Sequence, residues 1–140
     1  MAEYIRLIQT PNDSRPPGTA FLIDTEVLNT MPGNVTASAG AGGTVFTLTA
    51  GTYSFDYETS LTASGSIALY TGPTSGSLAI DNNTISGSTT GTTWIHGRAY
   101  VVVATTLVVA VSSVVGVAAV TTSGSAAGFY TIRVTIARVS

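Results

Sequence analysis

From Gly43 to Thr62 the chain reads GTVFTLTAGTYSFDYETSLT. Before the glycine at 51, Val45, Thr47 and Thr49 share one parity, and Phe46 and Leu48 share the other. After it, Tyr53, Phe55, Tyr57, Thr59 and Leu61 alternate with Ser54, Asp56, Glu58 and Ser60. A period of two places successive side chains on opposite faces of an extended strand. The pattern predicts two strands over 43–61 with Ala50-Gly51 as the corner between them.

The remaining pattern is of the same kind. Short strands are predicted at 4–8, 20–23, 26–28, 66–70 and 77–80, and a closing strand at 128–139. In that last strand Tyr130, Ile132, Val134 and Ile136 oppose Thr131, Arg133 and Thr135. Residues 11–18, PNDSRPPG, form a turn or arm, because three prolines and a glycine interrupt any ladder. The Gly-rich stretch 32–43 reads as a loop or a weak strand near Val35. Turns are expected at 71–73, 81–83 and 123–127.

Residues 99–120 are the ambiguous segment. No charged side chain occurs between Arg98 and Arg133, and the run is long enough to cross a membrane as a helix. Its valines and the interspersed Thr106, Ser112, Ser113 and Gly116 suit two or three successive strands better. Val101, Val103, Leu107, Val109, Val111 and Val115 form a bulkier row than Ala104, Thr106, Ala110 and Ser112. Eight to ten short strands without a helical segment predict an all-β fold, a two-sheet antiparallel sandwich, and the well-formed first and last strands can pair within one sheet as in a jelly roll. The division expected is an N-terminal arm over 1–17, with a short first strand and a Pro-rich turn, and the jelly roll over 18–140.

Composition changes the picture in one respect. At 140 residues one domain is the natural count. Only 9% of residues are charged, against roughly 25% in an ordinary soluble domain. A solvated monomer carries more charge than this, so part of the surface is expected to be covered by copies of the chain or by other proteins. All seven carboxylates lie at or before Asp81, and with Arg6 and Arg15 they leave residues 1–81 at −5. Arg98, Arg133 and Arg138 bring residues 82–140 to +3. Scattered arginines are no nucleic-acid footprint.

Catalytic chemistry has little to work with. There is no cysteine, which excludes disulfides, thiolate metal sites and thiol nucleophiles. His96 is the lone histidine, and no GxSxG or phosphate-binding loop accompanies it. It reads as a strand or edge residue, with a base or an interfacial proton-sensitive group as alternatives. The first 18 residues lack the apolar core of a signal peptide, so the sequons at 34–36 and 82–84 read as chance matches in an Asn/Thr-rich chain. The expectation is a protein that is not an enzyme, with no catalytic residue, metal or cofactor.

At this point a likeness emerges. FTLTAGTYSFDYETSL resembles the stretch of C1q/tumour-necrosis-factor-like jelly rolls in which a strand, a turn glycine and an aromatic-x-aromatic strand follow one another. SAAGFYTIRVTIARV resembles the last strand of that fold, especially in bacterial spore-surface and viral or phage versions. The likeness spans residues 43–139. It implies a compact homotrimer of the kind that forms fibre heads, capsid components or ligand-binding modules. No collagen-like or coiled-coil stalk precedes the domain here, which favours a capsid, fibre-base or spore-coat component, on a virion or spore surface, over a secreted ligand. The implied partners are the chain itself and neighbouring capsid or surface-layer proteins, with neither nucleic acid nor membrane.

Six aromatics are the core or oligomer-interface candidates: Tyr53, Phe55, Tyr57, Trp94, Tyr100 and Tyr130. The alternative function is a receptor- or glycan-binding head acting through loops 33–43, 71–76 and 81–92; a further one is a membrane-inserted protein through 99–120. Some C1q-like proteins bind calcium. Asp56 and Glu58, with Asp81, Asp24 or Glu26, are the oxygen donors that would do so here, against the plainer reading of a solvated sheet face.

Overall fold

The computed structural model describes residues 3–8, 14–16, 18–61, 65–88, 94–114, 120–121 and 132–140. Eleven strands and one short 3-10 turn follow one another among them. They are β1 (Glu3–Ile8), β2 (Ser14–Arg15), β3 (Thr25–Asn29), β4 (Val35–Gly40), β5 (Gly43–Ser60), β6 (Gly65–Gly72), β7 (Ala79–Ile80), the 3-10 turn Asn82–Thr84, β8 (Ser86–Ser88), β9 (Trp94–Ser113), β10 (Val120–Thr121) and β11 (Ile132–Arg138). All pairings are antiparallel.

Two long strands organise the sandwich. β5 and β9 pair along nearly their whole length, with the register shifting between Thr49 and Gly51. On one side of that shift, residues 51–60 of β5 lie between β11 and the start of β9, extending a sheet in the order β3-β1-β11-β5-β9. On the other side, residues 43–49 lie between β4 and the end of β9, and the sheet continues into β6, β7 and β8. Both strands therefore pass from one layer into the other at the bulge, where local twist increases. Gly51 sits there at φ 152°, with the Arg138 guanidinium packed against it.

The faces of β5 follow the sequence pattern. Thr44, Phe46 and Leu48 are buried before the bulge; Tyr53, Phe55, Tyr57, Thr59 and Leu61 are buried after it. The buried parity switches at Ala50-Gly51, so both halves turn their large side chains inward. The two layers meet ring to ring: Phe46 lies edge-on to Tyr4 at 5.8 Å and to Phe55 at 6.5 Å. Edge-to-face contacts at these separations suit the aromatic quadrupole.

Several expectations are revised. The predicted pair of strands over 43–61 is one strand bent at a bulge. Of the 99–120 run, read as two or three strands, the part up to 113 belongs to one continuous strand, β10 begins at Val120, and 115–119 lie outside the described residues. Within β9 only 104–106 are exposed on every residue, at the crossing between layers. No helix among the described residues is long and apolar enough to cross a membrane, and the 99–113 part of the proposed span is sheet. Residues 20–23 form no strand. They run as an extended clamp: Phe21 donates to the Val111 carbonyl (2.9 Å), and the buried Thr44 hydroxyl bonds both the N–H (2.7 Å) and the C=O (2.9 Å) of Ile23. The weak strand near Val35 is a full hairpin partner of β5, closed by Ala41-Gly42.

Tyr57 shows how a glycine inside a strand is used. It stands opposite Gly97, and a Cβ there would run into the Tyr57 ring. Through this gap the phenol reaches the carbonyl of Thr84 and donates to it. Burial, the dominant influence, pushes the phenol above its usual value of 10.0 against the lowering effect of hydrogen bonds to Ser86 and Thr84. A raised folded-state value means that this group supports folding fully below pH 10 and loses that support as pH climbs through the folded value. Tyr57→Phe is expected to lower stability by about 1 kcal/mol at neutral pH. It should also flatten the alkaline fall in stability, which denaturant midpoints taken at neutral pH and above pH 10 would check.

Candidate functional site

The candidate site lies on the outer face of the β11-β5-β9 layer and follows from register. Arg133, Glu58 and His96 stand side by side in one cross-strand row; Thr135, Asp56 and Arg98 form the next. Asp56 and Glu58 lie two residues apart on β5, so both point away from the core. Directly opposed side chains on antiparallel strands are close enough to pair.

The rows are ionically satisfied. Arg98 grips Asp56 with two bonds, Nε to Oδ1 at 2.8 Å and Nη2 to Oδ2 at 3.2 Å. His96 Nε2 lies 3.3 Å from the same Oδ1. Arg133 Nη2 meets Glu58 Oε1 at 2.7 Å. The hydrogen bond to Asp56, reinforced by its charge, holds the exposed Arg98 guanidinium above its ordinary value. Together these side chains line an open depression of about 320 Å³. Two carboxylates against two guanidiniums make it neutral apart from His96.

Large apolar groups flank the charges on the same face of β9. Trp94, Tyr100 and Val102 share the parity of His96 and Arg98 and are 50%, 67% and 77% exposed. Their opposite residues on β5 are Ser60, Ser54 and Thr52, too small to cover them. The face is thus a strip of aromatic, paired charge, aromatic and valine. A second depression of about 530 Å³, between the 18–20 segment, the β4-β5 hairpin and the 75–78 loop, has a lining rich in glycine and serine and free of ionisable side chains.

The sequence candidates separate cleanly. Tyr53, Phe55 and Tyr57 are fully or almost fully buried and belong to the core. Trp94 and Tyr100 are on the open face, and Tyr130 lies outside the described residues. The calcium donors do not come together: Asp56 and Glu58 are held by arginines, while Asp81 caps the 3-10 turn through Asn83 N–H (3.1 Å). Among the described residues no three His, Cys, Asp or Glu side chains gather as a metal site. No hydroxyl nucleophile is hydrogen-bonded to His96 among them either; its ring turns to Asp56. Much of the proposed binding loops is regular structure, since 35–40, 71–72 and 86–88 are strand and 82–84 is the 3-10 turn. Val102 had not stood out, because its valine-rich run hides which faces are covered.

No family model and no curated protein sequence matches the chain. Among solved structures, the globular domain of zebrafish complement 1qA protein superposes with a TM-score of 0.68, over 100% of this chain and 98% of that one, at 11% identity. The fold is a C1q-like jelly roll. A CBM35 domain from Cellvibrio japonicus Abf62 aligns more loosely, with a TM-score of 0.39 and 14% identity over 96% of this chain and 92% of that one. In the C1q-like frame, the outer strip of β9 belongs to the layer that also holds the first and last strands, and the hairpin β4-β5 belongs to the opposite layer.

Proposed function

We propose that this chain is a non-enzymatic structural module that self-associates, as a homotrimer, through the outer face of the β11-β5-β9 layer, within an assembled particle such as a capsid, a fibre or a spore-surface layer. The observation that carries this reading is the strip Trp94-His96-Arg98-Tyr100-Val102, in which large apolar side chains stand exposed beside a ladder of mutually neutralised charges. A tyrosine buries ring area in an interface while its hydroxyl keeps a partner, and tryptophan and tyrosine dominate the energetics of such contacts. The paired charges lower the cost of covering the middle of the face and orient the partner. The low overall charge is in keeping with a chain much of whose surface is covered in use.

Mass in solution tests the proposal. At micromolar concentration the chain is expected to be oligomeric, and Tyr100→Glu to weaken association by at least about 30-fold, as for the loss of a central aromatic contact. A wild-type chain that sediments as a monomer overturns it.

A further inference from the structure

A sandwich of two open sheets has edges, and an edge strand offers unpaired N–H and C=O groups to any passing chain. One edge, residues 94–103 of β9, closes the β3-β1-β11-β5-β9 layer and is guarded by the charged Arg98 between the bulky Trp94 and Tyr100. Three others are blunted. β3 carries Glu26, with Asp24 just before it, and its pairing with β1 is broken by a register shift at Ile5/Arg6. The far edge of the other layer is divided between β7 and β8, two and three residues long. The separate β2-β10 ladder has two residues a side. β4 is different. It is six residues long, VTASAG, pairs with β5 in unbroken register, and holds no charge, no proline and no bulge.

The direction of its backbone groups follows from the hydrogen bonds at its start. Thr49 N–H donates to the Asn34 carbonyl (3.0 Å), so the next N–H, that of Val35, points away from β5 and donates to Met31 (3.1 Å). Alternation then turns Thr36, Ser38 and Gly40 toward β5, and the N–H and C=O of Ala37 and Ala39 outward. Val35 O accepts from Asn29 Nδ2 at 3.4 Å, whereas the outward groups of Ala37 and Ala39 have no partner among the described residues. The side chains alongside, Thr36 and Ser38, are short and exposed.

We propose that β4 pairs antiparallel with β4 of a second copy of this chain, about a two-fold axis through Ser38. That register sets Ala37 opposite Ala39 of the second copy and Ala39 opposite its Ala37. Each is a hydrogen-bonded pair, so all four outward groups of each copy are satisfied and four backbone bonds form. The strand's lack of charge matters at a two-fold axis, where a charged residue on the axis would meet its own like. Because β4 lies in the opposite layer from the Tyr100 strip, the two contacts use different surfaces. One closes a small oligomer; the other joins such units side by side into a sheet or shell.

The test uses the full chain and two edge variants that leave the β5 ladder intact. Ala39→Pro deletes one outward N–H, and Ser38→Lys sets two like charges face to face at the axis. In a Tyr100→Glu background the chain is expected to be a dimer by sedimentation, with either edge variant halving the mass. Amide exchange at Ala37 and Ala39 should slow about tenfold on concentrating the protein, the factor of one net backbone hydrogen bond, and should not slow in Ser38→Lys. Mass unchanged by both edge variants, or exchange at Ala37 and Ala39 independent of concentration, overturns the edge contact. If Tyr100→Glu leaves the mass as it was while Ser38→Lys lowers it, the face reading falls and the edge contact stands.

Discussion

Phe55→Ala is expected to cost about 3–5 kcal/mol, the range for removing a fully buried ring that leaves a cavity behind. Phe55 is at 0% exposure, edge-on to Phe46 in the opposite layer, with Ile136 of β11 and Ala99 of β9 as its cross-strand neighbours. The small Ala99 on one side of it offers little to fill the space that the ring would vacate. For a domain of this size the loss corresponds to a fall of roughly 10–20 °C in melting temperature. Thermal unfolding with calorimetric detection checks it, and an unchanged midpoint would refute the burial of Phe55. Phe55→Leu, which keeps most of the volume, should cost under about 1.5 kcal/mol.

Gly43→Ala ought to be comparably damaging for a different reason. Gly43 adopts φ 95°, where a side chain is strained by about 1–2 kcal/mol, and a Cβ would collide with the carbonyl oxygen of Ala20. Relief requires moving the 20–23 clamp, which Thr44 and Val111 hold by hydrogen bonds and which buries Phe21 and Ile23 completely. Overpacking adds about 1–3 kcal/mol to the strain. Gly42 is the control. It has open space around its Cβ position and no positive φ, so Gly42→Ala should stay within about 0.5 kcal/mol of the wild type. Urea unfolding of the three proteins separates the cases, and equal midpoints for both alanine variants would mean that the clamp does not close on Gly43.

What the sequence disclosed tracks the size of its side chains. Phe46, Leu48, Tyr53, Phe55 and Tyr57 alternate with small or polar groups, so the faces of β5 and the change of parity at Ala50-Gly51 could be read directly. The same holds for Ile132, Val134 and Ile136 of β11. β4 was faint because Ala, Ser, Thr and Gly give little contrast between faces. β9 was divided in expectation because Thr106, Ser112 and Ser113 interrupt its valines, whereas pairing with β5 carries the strand from Trp94 to Val109 and pairing with β6 carries it on through Ser113. The charged rows were legible only in part. Asp56 and Glu58 share a face by spacing alone, but that His96 and Arg98 stand beside them depends on a register between segments some forty residues apart. Periodicity does not encode such a register.

β5 and β9 each belong to both layers, and this has a mechanical corollary. A sandwich whose layers are linked only by loops can open like a book, one sheet at a time. Here two continuous backbones form the spine and the two covers at once. Parting the layers means unzipping the β5-β9 ladder at the bulge, which exposes Phe46 and Phe55 together. The domain is therefore expected to yield as one cooperative unit. In the assembly proposed above, such a unit would resist load until the whole of it fails.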